Sequence, residues 1–466
     1  APPPPNPLLP RSLDLKAPRA PRTPFGRAAP APQLVRDDAS WQVYFRQDTE
    51  FGVPKAVAFV ELLTPYPRSS AKNSVLSRLY EAVLVDSLTE PLLYDARLAG
   101  LSYELSASLR GVRLVFAGYD DRLADFARTA VAATASFDPT ADRASFEAQL
   151  DLLKRDLQSF ASQQPYQQAG YWVGLASLLP NNSIDQLLEA AGRVQLSDLG
   201  EFARRLWREE RLFGVAHCQG NLRADEADGI VRAIDDALRF APLPAAERPK
   251  PLWAQVPASA AGPGCALLRD ALDPAEANSA VELSFQLGTA RITDGEAGRR
   301  LNAEAQVLGA LLRDRFYSEL RTRQQLGYIV QSVADRRDGL VRLSFVVQGS
   351  VLDPLGVLDR IDAFLDGFRA DLAQRSAADV RGVAAGLAEA SLTRPQQLGE
   401  AAERNWAEIR TRELLFDRGP REAEALRRVG QAEVAALFER CVAPGGTERR
   451  RLAALIFGSA HRGGRG

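Results

Sequence analysis

GLVRLSFVV (Gly339 to Val347) sets Val341, Leu343 and Phe345 at alternate positions, the two-residue period of a strand with one buried face. The same wording stands earlier in the chain as GVRLVFAGY (Gly111 to Tyr119), with Val112, Leu114 and Phe116 in the same phase. Gly339 lies 228 residues after Gly111, Pro395-Gln396-Gln397 lies 230 after Pro165-Tyr166-Gln167-Gln168, and Trp406 lies 234 after Trp172. Tyr94 and Tyr317 are a further pair, each ahead of a charged stretch that ends in glycine. Landmarks in one order at nearly constant spacing predict a duplicated domain.

The neighbouring segments fit that reading. KAVAFVELL (Lys55 to Leu63) is a dense apolar run and predicts a strand. In SVLSRLYEAVLVDSL (Ser74 to Leu88), Leu76, Leu79, Tyr80, Val83 and Leu84 share one helical face. NSAVELSFQLG (Asn278 to Gly288) alternates Val281, Leu283, Phe285 and Leu287, and a later helix aligns Leu358, Ile361, Leu365, Phe368 and Leu372. The strands alternate rather than run continuously apolar, which predicts an α+β fold. Each of two homologous domains is a mostly antiparallel sheet with helices packed on one face.

Two proline-rich stretches punctuate the chain. Residues 1–36, beginning APPPPNPLLP, read as a linker with no packed element, because proline fixes φ and removes a donor. Residues 243–263 (LPAAERPKPLWAQVPASAAGP) read as an interdomain linker. The expected domains are therefore 37–242 and 264–458, followed by a mobile tail, 459–466.

The composition excludes several classes. Charged residues make up 25% and hydrophobic ones 46%, with a net charge of −1, so no basic field points to nucleic acid. No apolar run reaches the length of a membrane span. Cys218, Cys265 and Cys441 are too few and too scattered for a disulfide framework. They read as buried or half-buried free thiols in a reducing, intracellular compartment, with the cytoplasm as the default. There is no methionine, so the chain reads as a segment of something longer.

Only two histidines are present, His217 and His461. Neither H-x-x-E-H nor H-E-x-x-H occurs, so a zinc site within this chain has no sequence support. His217 and Cys218 are neighbours on a strand and point to opposite faces. A serine or cysteine triad lacks a plausible histidine, and no phosphate-cradling glycine loop is found. One segment does suggest chemistry: FYSELRTRQQLGYIVQSV (Phe316 to Val333). A helix is expected to end at Gly327, and a strand to start at Tyr328. Arg321 and Tyr328 would then face a common space, where a guanidinium and a phenol make a clamp for a peptide carbonyl or its oxyanion. The alternative from pattern alone is a surface salt bridge for Arg321 and core packing for Tyr328.

LRTRQQLGYIV (Leu320 to Val330) resembles the hallmark of the C-terminal half of insulinase-type, pitrilysin-like metallopeptidases. ARLAGLSYEL (Ala96 to Leu105), GVRLVFAGYDD (Gly111 to Asp121), WQVYFRQDTEFGVPKA from Trp41, SQQPYQQAGYW (Ser162 to Trp172) and His217 with Gly220-Asn221 resemble that family's third domain. The resemblance runs from about residue 5 to Phe457. It implies that 37–242 is the third and 264–458 the fourth of four homologous domains, enclosing a chamber in which peptides are cut. It also implies that Arg321 and Tyr328 are catalytic residues stabilising the substrate carbonyl, and that Tyr317 lines the substrate pocket. Zinc would be the cofactor of the full-length enzyme, held by an N-terminal half that this chain lacks. The partners implied are that zinc-bearing half and peptide substrates, with neither nucleic acid nor membrane, and a homodimer is left open. Alone, the chain is expected to be inactive. The other reading is a non-catalytic scaffold or peptide-binding subunit of the same fold.

Overall fold

In the computed structural model, which describes residues 5–21, 23–259 and 264–462, the chain forms two compact units. One comprises Ala1–Gln158, Pro180–Pro251 and Arg394–Phe416, and the other Ser159–Leu179, Leu252–Thr393 and Asp417–Gly466. The boundaries expected from the sequence are contiguous, whereas these units each borrow one segment from the other half of the chain.

The first unit is built on a six-stranded sheet in the order Gln33–Asp37, Trp41–Gln47, Phe213–Gly220, Lys55–Leu63, Gly111–Tyr119, Ser102–Ala107. All neighbours are antiparallel except Trp41–Gln47 and Phe213–Gly220, which run parallel. One face carries Val43, Ala58, Val60, Leu114 and Phe116, each fully or almost fully buried. Against it pack the helices Ala71–Leu88, Asp120–Ser136, Leu196–Arg208 and Ala224–Leu238. Burial of each such large side chain contributes about 1.5–3 kcal/mol. Across the other face lies the borrowed helix Leu398–Thr411, whose Trp406 stacks on Phe59 at 5.6 Å and packs beside Val57 and Val215.

The second unit repeats the plan with five strands: Ile329–Arg337, Leu340–Gly349, Ser279–Thr289, Arg451–Phe457, Cys265–Asp270. Here the last pair alone is parallel. Leu283, Phe285, Leu343, Phe345 and Leu455 are buried under the helices Gly295–Phe316, Pro354–Gln374 and Gln431–Cys441. On the opposite face lies its own borrowed helix, Pro165–Ser177, with Ala169 and Val173 against Ala280, Ala454 and Ile456. The α+β class and the helical layer on one face therefore hold in both units. The repeat landmarks at Pro165–Trp172 and Pro395–Trp406 fall on the two borrowed segments.

The expected linker over 1–36 is corrected by the structure. Gln33–Asp37 is a strand, Leu8 packs on the core, and the Asn6 side chain donates to the Asp95 carbonyl at 2.7 Å. Lys16 binds Asp120 at 2.8 Å and Glu226 at 2.9 Å, while the Lys16 N–H donates to Asn221. Prolines in extended chain need no ladder partners, so they do not prevent such docking. Residues 1–4 and 22 of that stretch, and 260–263 of the second proline-rich one, lie outside the described residues. The tail is docked as far as it is described: Ser459–His461 forms a 3-10 turn, and His461 Nδ1 lies 3.0 Å from Ser279 Oγ. Residues 463–466 fall outside. Among the described residues, no helix is long and apolar enough to cross a membrane.

Candidate functional site

The helix Gly295–Phe316 continues into a π-helical turn, Tyr317–Arg323. Gln324 N–H donates to the Glu319 carbonyl at 3.0 Å, five residues back. Such a widened turn recurs at functional sites because it re-aims side chains within a helix. Here it is pinned from inside. Phe316, Leu320 and Leu326 are buried, and Phe316 contacts the rings of Phe345 and Phe364 at 4.9 and 5.2 Å. With those three turned inward, Tyr317 remains 50% exposed and Arg321 half-buried.

Gly327 is not the helix-ending glycine expected from the sequence. The left-handed position is Gln325, at φ 53°. A Cβ on Gly327 would lie 1.8 Å from the Gln348 carbonyl oxygen, and one on Gly349 would lie 2.1 Å from that of Leu326. The two glycines let the backbones touch, and this contact places the next residue, Tyr328. The strand starts one residue later, at Ile329.

Arg321 and Tyr328 come together. The guanidinium carbon sits 5.5 Å from the Tyr328 ring centroid, within cation–π range. Tyr328 is 81% exposed, so it does not pack in the core. Among the described residues Arg321 has no ion-pair or hydrogen-bond partner, so the salt-bridge alternative is not realised either. Both polar ends are free to donate to a ligand. Tyr317, four residues before Arg321 on the same turn, offers an exposed ring.

Among the described residues, no group of three histidine, cysteine, aspartate or glutamate side chains could hold an ion. His217 is fully buried, its Nε2 is 3.1 Å from Gln219 Oε1, and Asn405 donates to that same oxygen at 2.8 Å. Burial holds the imidazole down to about 4, against the partial opposition of Gln219. Cys218, on the other face of the strand, is buried with its thiol pushed up to about 12 by desolvation. Cys441 is buried as well, but Cys265 is exposed, on the edge strand, which corrects the expectation of three buried or half-buried thiols.

The sequence reading passes over the polar positions of Ser279–Thr289. Glu282, Ser284 and Gln286 alternate with the core residues and look solvent-facing, yet Ser284 and Gln286 are buried. Gln286 accepts from Val256 N–H at 2.9 Å and donates to the Ala254 carbonyl at 2.8 Å. Burial raises the Glu282 carboxyl above its usual range, and Arg342 partly offsets this. Arg342 is itself held bidentately by Asp335, at 3.1 and 2.8 Å. The signal available was polarity restricted to amides, hydroxyls and a single acid on a central strand.

Comparison with known proteins places this architecture. The family model described as the middle or third domain of peptidase M16 matches residues 1–190. A second, described as PQQ synthase PqqF-like, C-terminal lobe domain 4, matches residues 307–406. Insulin-degrading enzyme-like 1, peroxisomal, of Arabidopsis thaliana is 27% identical over 461 residues, covering 98% of this chain and 46% of the relative. A Caenorhabditis elegans relative named as a zinc protease is 27% identical over 467 residues, covering 96% of this chain and 49% of its own length. The chain thus spans about half the length of the curated relatives it matches. The crystal structure of pitrilysin superposes with a TM-score of 0.82 at 20% identity, covering 99% of this chain and 46% of that one. A peptidase M16 inactive domain from Pseudomonas fluorescens superposes with a TM-score of 0.64 at 13% identity, over 92% of this chain and 98% of that one. With third-domain and C-terminal-lobe matches and relatives aligned across nearly its whole length, the chain is similar to the C-terminal half of insulinase-type, pitrilysin-like peptidases.

Proposed function

We propose that this chain is the C-terminal half of a zinc metalloendopeptidase that cuts peptides in an enclosed chamber, and that it supplies chamber wall and the carbonyl-holding pair Arg321 and Tyr328. Zinc, on this reading, is bound by residues outside this chain. The observation that carries the proposal is the pairing of an unpartnered guanidinium with an 81% exposed phenol, 5.5 Å apart. Exposing a tyrosine ring to that degree has no packing rationale. As a hydroxyl adds to a peptide carbonyl, negative charge grows on its oxygen, and both groups donate to that oxygen. Their hydrogen bonds strengthen as the charge develops, so they favour the transition state over the bound peptide. The phenol keeps its proton throughout. Tyr317, at the start of the turn, lines the pocket beside the cleaved bond.

The test uses the chain combined with a zinc-bearing N-terminal half from the same source. Tyr328→Phe lowers kcat by about 10²–10³ and leaves KM nearly unchanged. An unchanged kcat removes the role. The fold shared with the peptidase M16 inactive domain from Pseudomonas fluorescens favours a second reading, a non-catalytic peptide-binding subunit. Cleavage by neither the chain nor the mixture, with both halves associated and zinc bound, would establish that reading instead.

A further inference from the structure

Behind the π-turn, on the helical side of the second unit, lies a cleft of about 350 Å³, within the usual range for small-ligand pockets. One wall is a stripe of the helix Pro354–Gln374: Arg360, Ala363, Phe364, Gly367, Phe368 and Asp371. These follow the three- and four-residue spacing of a single helical face. The helix is held at its start by Asp353, whose Oδ1 accepts from Gly356 N–H at 2.6 Å. The facing wall includes Glu319, Arg323 and Gln324 from the turn, with Arg315 before it.

The lining is unevenly satisfied. Arg315 is held by Asp371 at 3.1 and 2.7 Å, and Arg323 by Glu319 at 2.8 Å. Arg360 has no ion-pair or hydrogen-bond partner among the described residues, which leaves the cleft one positive charge in excess. Gln324 donates through Nε2 to a Glu319 carboxylate oxygen at 2.9 Å. A carboxylate only accepts, so the amide orientation is fixed. Its Oε1 is then buried with no donor. Phe364 and Phe368 supply an apolar floor, and a Cβ at Gly367 would meet nothing within 4 Å.

A free cation, one positive charge in excess and an aromatic floor define a complementary ligand, an acid with an apolar body and no free ammonium for the excess charge to repel. We propose that this cleft binds a small organic anion with an apolar body and a neutral nitrogen, namely an N-acylated hydrophobic amino acid or the C-terminal residue of a short peptide. The carboxylate pairs with Arg360, and the side chain rests on Phe364 and Phe368. The site is separate from Arg321 and Tyr328 and does not depend on their role.

The probe is N-acetylphenylalanine, titrated calorimetrically into the full chain. Saturable binding is expected, weakened about tenfold or more in its neutral amide and in Arg360→Gln, because one charge-assisted contact is lost. Arg360 has no internal partner to leave unsatisfied, so that variant folds. Gly367→Leu fills the open floor and abolishes binding with no fall in Tm. Arg321→Ala binds the probe as the parent chain does, so failure of the peptidase reading leaves this result intact. N-acetylphenylalanyl-leucine binding as tightly as the single residue assigns the site to peptide C-termini, and much weaker binding assigns it to free N-acyl amino acids. The proposal is overturned by equal binding of acid and amide, by undiminished binding in Arg360→Gln and Gly367→Leu, by loss of binding in Arg321→Ala, or by inorganic phosphate binding where the probe does not.

Discussion

Gly327 has no room for a side chain, because the carbonyl of Gln348 occupies the space a Cβ would need. Gly327→Ala must push the two backbones apart, which costs about 1–3 kcal/mol and displaces Tyr328. Denaturant unfolding measures the first effect, and in the combined halves kcat measures the second. Arg321 and Tyr328 are legible in the sequence because they stand seven positions apart across a helix-to-strand junction. The role of Gly327 is not legible, since a glycine after a helix reads as a cap, and its actual partner, Gln348, lies on the strand Leu340–Gly349. His217 supports a pH prediction. Its folded value is about 4 against an ordinary 6.5, so the unfolded chain takes up the proton first as pH falls. The stability it contributes is complete above pH 6.5 and is lost as pH falls from 6.5 to 4, about 3 kcal/mol in all. His217→Gln should remove that acid slope from urea unfolding measured across the same interval. Thiol labelling of the native chain should modify Cys265 alone, with Cys218 and Cys441 reacting only on unfolding. Labelling of either buried thiol under native conditions would contradict the packing described.

At the scale of elements, the borrowed helices are what contiguous reading misses. The repeat at Pro165–Trp172 and Pro395–Trp406 is visible, but nothing in either segment says which sheet it covers. Alternation in Ser279–Thr289 predicts one wet face, and that inference fails because a helix from more than 100 residues earlier covers it. Trp406→Ala should destabilise the first unit by about 3–5 kcal/mol, although the residue lies late in the chain. Hydrogen exchange should show the loss at Lys55–Leu63 and Phe213–Gly220, the strands it packs on. The N-terminal stretch has its own anchor. Lys16→Met leaves Asp120, whose side chain is only 4% exposed, without its cation, at a cost of about 1–3 kcal/mol. Residues 5–21 should then become the first site of limited proteolysis.

For the whole molecule, the proline-rich stretch at 243–263 looks like the place to divide the chain, yet division there breaks both units. Residues 1–251 alone would leave Val57, Phe59, Phe213 and Val215 uncovered, a contiguous apolar face that favours association. That fragment should aggregate or bind a dye for exposed apolar surface. A peptide spanning 394–416, added in trans, should restore a monomer. A soluble, cooperatively unfolding 1–251 fragment without the peptide would show that the borrowed helix is dispensable.

The interleaving also sets an order in time. A chain made from its N-terminus has the six strands of the first sheet in hand once Pro251 has emerged, but the segment carrying the helix that covers their second face begins at Arg394. The 142-residue span Leu252–Thr393 must be synthesised in between, which takes about 7–30 s at ordinary elongation rates. Throughout that interval the ribosome carries a nearly finished sheet with one greasy side open, so the nascent chain is a natural client for a holding chaperone.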